Sequence, residues 1–205
     1  MSRPLIVALH GVGSSAGDMV EALAPLEQVA KVVALDGTDP FDRGATGRQW
    51  FSVAGVTETD RPNRVANALP PLLERLDRLA ATHGVPRSDL VLLGFSQGAI
   101  MTLAMVAQGL HPGRAVAIAG RLAAVVAPLG DEAAELLLVH DSADRVMPPP
   151  LGTEAAAKLA AAGHRVEIVH TAGVGHRIGP ETITAITDWL ASTSRSPARS
   201  TSSEE

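Results

Sequence analysis

Three side chains in this sequence of 205 residues have the types and the order needed to move an acyl group: Ser96, Asp144 and His176. A serine hydroxyl is a weak nucleophile until an imidazole takes its proton, and the imidazole in turn needs a carboxylate to fix its tautomer and stabilise its charged form. Ser96 lies in Gly94-Phe95-Ser96-Gln97-Gly98, the pattern of a nucleophile elbow, in which side chains at the two glycine positions would collide with the tight turn that lifts the hydroxyl off the sheet. His176 closes Gly173-Val174-Gly175-His176, a glycine-flexed loop able to carry an imidazole over that hydroxyl as general base and then general acid. Asp144 sits in the run His140-Asp141-Ser142-Ala143-Asp144-Arg145-Val146-Met147-Pro148. It follows Ser96 by 48 residues and precedes His176 by 32, each enough chain for a strand-helix unit, so all three can reach one sheet edge.

Acyl transfer also needs donors for the oxyanion of the tetrahedral intermediate, one from the residue after the nucleophile and one from an earlier strand-helix loop. These are the backbone N–H groups of Gln97 and of Val12, the latter in His10-Gly11-Val12-Gly13, where flanking glycines free the backbone to turn its N–H inward. Loss of one such donor costs about 2.7 to 4 kcal/mol of barrier, comparable to a good general base.

The elements that must hold these groups are short apolar runs alternating with helical patterns, the signature of a mostly parallel sheet with helices on both faces. Strands are predicted at 5–10, 29–36, 89–95, 115–119, 135–140 and 165–171. Helices are predicted at 64–81, 100–106, 151–162 (ended by Gly163) and 180–191 (opened by Pro180). One domain over 1–191 follows, with a disordered tail at 192–205, which offers no bulky apolar side chain to bury.

With 17 Lys and Arg against 22 Asp and Glu, a net charge of -5, the chain has no basic surplus to hold nucleic acid. It has no cysteine, which excludes disulfides, thiolate metal sites and a cysteine nucleophile. Only five apolar residues separate Pro4 from His10, and no run approaches the ~20 residues of a membrane span, so a soluble cytoplasmic protein is expected. No metal, no organic cofactor and no stable membrane insertion is implied. The expected partner is a small ester or acyl substrate.

Leu9-His10-Gly11, the elbow around Ser96, Asp144 with Val146 and Pro148, and Gly175-His176 together resemble the phospholipase/carboxylesterase group of α/β-hydrolases, which includes the acyl-protein thioesterases. The resemblance runs over about residues 5 to 191. It implies an α/β-hydrolase fold without a large cap domain, a Ser96-Asp144-His176 triad, an oxyanion hole at Val12 and Gln97, and hydrolysis of carboxylic esters, thioesters or lysophospholipids through an acyl-enzyme. Trp50 falls where the family often has an aromatic pair near the acyl pocket, and Trp50 and Met147 are the candidate substrate contacts. Two departures stand out. Ala99 replaces a glycine usual after the elbow, and Asp141 replaces a glycine usual after the acid-loop histidine, so that Asp141 competes with Asp144 to orient His176. With 2% aromatic residues and no tyrosine, an acyl groove would be aliphatic.

Other readings fit parts of the chain. Gly11-Val12-Gly13-Ser14-Ser15-Ala16 after a first strand, with Asp36 twenty residues on, matches a dinucleotide fingerprint and an NAD(P)-dependent oxidoreductase. A catalytically silent binding protein on the same fold is a third. Gly13-Ser14-Ser15-Ala16-Gly17 repeats the elbow pattern around Ser15 without an abutting strand and is read as a turn. His10, His140 and His170 are expected to be hydrogen-bonded at strand ends, with His10 supporting the oxyanion loop, and His83, His111 and His164 to cap helices.

Overall fold

The computed structural model describes residues 3–129 and 133–193. Strand β1 (Leu5–Leu9) leads through helix α1 (Ala16–Leu23) and a 3-10 turn (Ala24–Gln28) to β2 (Lys31–Leu35). Two short strands, β3 (Asp39–Pro40) and β4 (Arg48–Gln49), form an antiparallel ribbon before α2 (Arg61–His83). Then follow β5 (Leu90–Phe95), α3 (Gln97–Ala107), β6 (Arg114–Ile118), β7 (Glu135–Asp141), α4 (Pro149–Ala161), β8 (Arg165–Thr171) and α5 (Pro180–Thr193).

Six strands form one sheet in the order β2-β1-β5-β6-β7-β8, every neighbouring pair parallel. Residues alternate between its faces. Leu5, Val7 and Leu9 of β1 and Leu90 and Leu92 of β5 pack with α2 and α3, and farther along the same face Ala117, Leu136 and Leu138 pack between α3 and α4. Ile6, Ala8, Val91, Leu93, Val116 and Val139 point the other way, against Met19 and Leu23 of α1 and Ile186 and Trp189 of α5. Burial on both faces explains why these strands read as unbroken apolar runs. The chain leaves β1 toward β2 and leaves β5 toward β6, so the loops after β1 and β5 diverge and open a crevice at the carboxyl edge of the sheet.

All six predicted strands and all four predicted helices are present, their ends shifted by up to three residues. The 29–36 strand starts later because Val29 and Ala30 donate to the Leu26 carbonyl and complete the 3-10 turn. The helix after the elbow begins at once, at Gln97, and α2 begins at Arg61, with Pro62 in its first turn. Helix α1 and the β3–β4 ribbon were not predicted. Ser15, far from being a nucleophile, caps α1: its hydroxyl accepts from the Asp18 N–H while the Asp18 carboxylate accepts from the Ser15 N–H. Ser192 and the backbone of Thr193 belong to α5, so the fold extends past 191, and the remainder of the expected tail lies outside the described residues. Among the described residues no helix is long and apolar enough to cross a membrane.

Candidate active site

Ser96 joins β5 to α3 with φ 53° and ψ -113°, a left-handed region that a residue with a side chain enters only at a cost of about 1 to 3 kcal/mol. The glycines of the elbow make this turn possible: a Cβ on Gly94 would lie 2.2 Å from the Gly98 carbonyl oxygen, and one on Gly98 would lie 2.1 Å from that of Leu9. Although Ser96 occupies the N-cap position of α3, its hydroxyl caps no backbone N–H. It faces His176 instead, with Oγ 2.9 Å from Nε2.

His176 Nδ1 lies 2.7 Å from Asp144 Oδ2. Because a carboxylate only accepts, Nδ1 carries the proton in the neutral ring and Nε2 is left to accept the Ser96 hydroxyl proton. The imidazole packs on Phe95, ring centroids 5.0 Å apart, so the residue before the serine supports the histidine ring. The other oxygen of Asp144 accepts the N–H groups of Val146 (2.8 Å) and Met147 (2.9 Å), which locks a fully buried carboxylate in place.

Asp141 has a different task. One oxygen accepts from Ala143 N–H (2.9 Å) and Gly175 N–H (3.0 Å), the other from Val174 N–H and the Thr171 hydroxyl, both at 3.2 Å. Both oxygens are thereby spent on the backbone and hydroxyl that shape the loop carrying His176. Burial pushes its pKa up, but the donors together outweigh burial and hold it below the ordinary aspartate value.

On the opposite side of the crevice, the loop after β1 lies directly on the elbow: a Cβ on Gly11 would meet the Phe95 ring at 3.1 Å and Ser96 Cβ at 3.3 Å. The N–H groups of Val12 and Gln97 donate to no group among the described residues, and their strands are neighbours, Leu9 in register with Gly94. His10 orients this loop. Its Nε2 accepts the Gly37 N–H (2.8 Å), so Nδ1 holds the proton and donates to the Gly11 carbonyl (2.6 Å). That carbonyl shares a peptide plane with the Val12 N–H, so holding one aims the other. Burial lowers the His10 pKa and keeps the ring neutral, as this arrangement requires.

Trp50 does not sit open to a substrate. It is 2% exposed and packs with the core, its indole N–H donating to the His10 carbonyl (2.9 Å). A tether with no sequence signal fixes it: the Gln97 side-chain amide accepts from Trp50 N–H (2.9 Å) and donates to the Phe51 carbonyl (2.7 Å). Trp50 and Phe51 border a cavity of about 480 Å³ shared with Arg64, Ala68 and Pro71, whose lining does not include Ser96. Met147 is partly buried and touches the apolar clusters of both faces of the sheet.

The other histidines depart from expectation. His140 is buried with neither ring nitrogen hydrogen-bonded, and His170 is exposed on β8. His111 pairs with the Arg114 carbonyl at the start of β6 and His164 with the Ala134 N–H just before β7, and His83 approaches Lys31 Nζ. No helix end needs them, because left-handed glycines at 84, 109 and 163 already close the helices. The dinucleotide reading also loses its parts. Asp36 accepts the Ala16 N–H at the start of α1, Gly13 N–H donates to the Arg48 carbonyl, and the Phe41 ring lies where a Cβ on Gly13 would meet it at 3.2 Å.

A parallel sheet with helices on both faces, carrying a serine elbow in line with a histidine and a carboxylate, defines an α/β-hydrolase, and the chain belongs to the Phospholipase/Carboxylesterase family, whose sequence profile matches residues 1–194. It is 33% identical over 195 residues to the esterase YpfH of Escherichia coli K12, covering 92% of this chain and 82% of that one. A probable carboxylesterase of Oryza sativa subsp. japonica is 27% identical over 211 residues, covering 92% and 77%. Among solved structures, esterase PE8 superposes with a TM-score of 0.80 and 26% identity over 93% of each chain.

Proposed function

We propose that this hydrolase is a carboxylesterase in which Ser96 attacks the carbonyl of a small ester, with His176 as base and Asp144 holding the imidazole. The reading rests above all on one observation, the continuous chain of hydrogen bonds from Asp144 through His176 to Ser96 at a strained turn. As the Ser96 oxygen bonds to the carbonyl carbon, His176 Nε2 takes the hydroxyl proton and the carbonyl π pair moves onto oxygen. The N–H groups of Val12 and Gln97 stabilise that oxyanion. Collapse of the intermediate expels the alkoxide, which receives the proton from His176, and leaves an acyl group on Ser96. Water activated by His176 then repeats the sequence and frees the acid.

Met147, beside the acid loop, is the proposed acyl contact; Trp50 supports the oxyanion loop from below. Thioesters and lysophospholipids belong to the same proposal as alternative acyl donors, since the chemistry at Ser96 is the same for each. Cytoplasmic placement is part of it too. A fluorophosphonate probe tests the reading directly, because only an activated serine is phosphonylated at an appreciable rate. Wild-type protein should be labelled at Ser96, and Ser96→Ala should lose labelling and about a thousandfold or more of 4-nitrophenyl ester turnover while keeping its fold. Undiminished turnover in Ser96→Ala would refute it.

A further inference from the structure

The charges around the carboxyl edge are unevenly satisfied. Near the β2 end, Asp36 accepts from Ala16 N–H, and Asp42 accepts from Ser52 and Ala54. Glu58 binds both Arg61 and Arg121, and Asp60 binds Arg64. Beyond β7 and β8, Asp141 and Asp144 are buried with both oxygens committed, and Glu181 accepts from Ala172 N–H. Two cations in this part of the rim have no carboxylate partner among the described residues, and both are exposed: Arg145 and Arg177.

Their positions in the chain are not incidental. Arg145 follows Asp144 and Arg177 follows His176, each one Cα step of 3.8 Å along the backbone. The hydrogen bonds that fix the triad also fix them: Asp144 Oδ1 receives the two N–H groups that follow Arg145, and Arg177 N–H donates to the Gly175 carbonyl at 2.9 Å. The 2.7 Å contact between Asp144 and His176 brings the two loops together, so two exposed arginines without a carboxylate partner among the described residues stand next in the chain to the two members of one His-Asp pair, on a protein whose net charge is -5. Each sits on a flexible stem long enough to reach a ligand at the rim. Cationic side chains so anchored repel cations and concentrate anions at the mouth of the site.

We propose that the site selects esters bearing an anionic group, of carboxylate or phosphate type, close to the scissile carbonyl, and that Arg145 and Arg177 are the selecting residues. This deepens the esterase reading and rests on it. The test compares mono-4-nitrophenyl adipate, with a free acyl-side carboxylate, against 4-nitrophenyl methyl adipate, identical but uncharged. A second arm uses 4-butanoyloxy-3-nitrobenzoate, with the carboxylate on the leaving group, against its uncharged methyl ester. Wild-type kcat/KM should favour an anionic ester at low salt, and the preference should fade as salt rises past about 0.1 M, where the screening length is near 10 Å. In R145Q/R177Q the anionic substrate should lose about five- to tenfold in kcat/KM, as expected for two partly screened charge pairs, and neutral esters should keep their rates. The arm that responds locates the anion on the acyl or the leaving-group side. Equal wild-type rates on charged and uncharged partners in both arms, or an equal loss on both in the variant, would overturn the proposal. Failure of the esterase reading looks different: no ester is turned over and no serine is labelled.

Discussion

Two aspartates three residues apart do unlike work, and only the atoms each touches separate them. Asp144 shares its oxygens between His176 and two backbone N–H groups, whereas Asp141 ties the backbone of its own loop and the end of β8 to the loop that carries the histidine. Asp144→Asn should leave the fold intact but let His176 settle in the wrong tautomer, with kcat down about a thousand- to ten-thousandfold. Asp141→Asn should instead lower stability by about 2 kcal/mol, the scale of a lost charge-assisted hydrogen-bond set, and reduce kcat far less. Ester turnover and urea unfolding of the two variants, measured together, check this division; matching profiles would contradict it. The sequence made Ser96 and His176 legible because elbow and glycine-loop patterns constrain backbone directly, while the aspartates stayed ambiguous because their roles depend on contacts 30 residues away. His140 was misread for a related reason: a strand end normally offers partners, yet here Gly152 presses on the ring, a Cβ there lying 2.2 Å from Nδ1.

Among the elements, the elbow is a close fit between three pieces of backbone. Ala99, where the family pattern has glycine, is fully buried in the first turn of α3 and faces Gly120, at which a Cβ would lie 2.5 Å from that of Ala99. The added methyl on one side is thus accommodated by its absence on the other. Gly120→Ala should destabilise the protein by about 1 to 3 kcal/mol through overpacking, and A99G/G120A should recover most of that loss in a urea titration. No recovery would show that the two sites are independent. The major strands and helices were readable because both-face burial and heptad-like spacing leave strong patterns. Helix α1 and the β3–β4 ribbon were not, since eight- and two-residue elements carry too few apolar positions to reveal a period.

For the molecule as a whole, pH acts through imidazoles held away from water. Burial lowers the pKa of His10, His111 and His140 below the usual histidine value. The unfolded chain therefore binds protons, below about pH 6.5, that the folded protein refuses, so stability is full above that pH and falls as the solution is acidified toward the folded-state pKa values. The slope is up to about 1.4 kcal/mol per pH unit for each histidine. Urea midpoints should be clearly lower at about pH 5.5 than at about pH 7.5, and a flat profile would mean that these rings protonate without unfolding. Sheet order and the resulting crevice were not legible residue by residue; the alternation of strands and helices fixed the class, and the placement of β1 between β2 and β5 emerges only from the assembled packing.

Gln97 ties these scales together. Its main chain carries one of the two N–H groups proposed to bind the oxyanion, and its carboxamide grips the peptide of Trp50 and Phe51 in the core beneath. Repacking Trp50 or Phe51 would tug on that N–H through a single side chain, so a change in the core beneath the site would carry through to turnover. Arg145 and Arg177 share their backbone hydrogen bonds with the loops that hold Asp144 and His176, but their side chains are exposed, so exchanging those side chains alone is the natural route to new preferences.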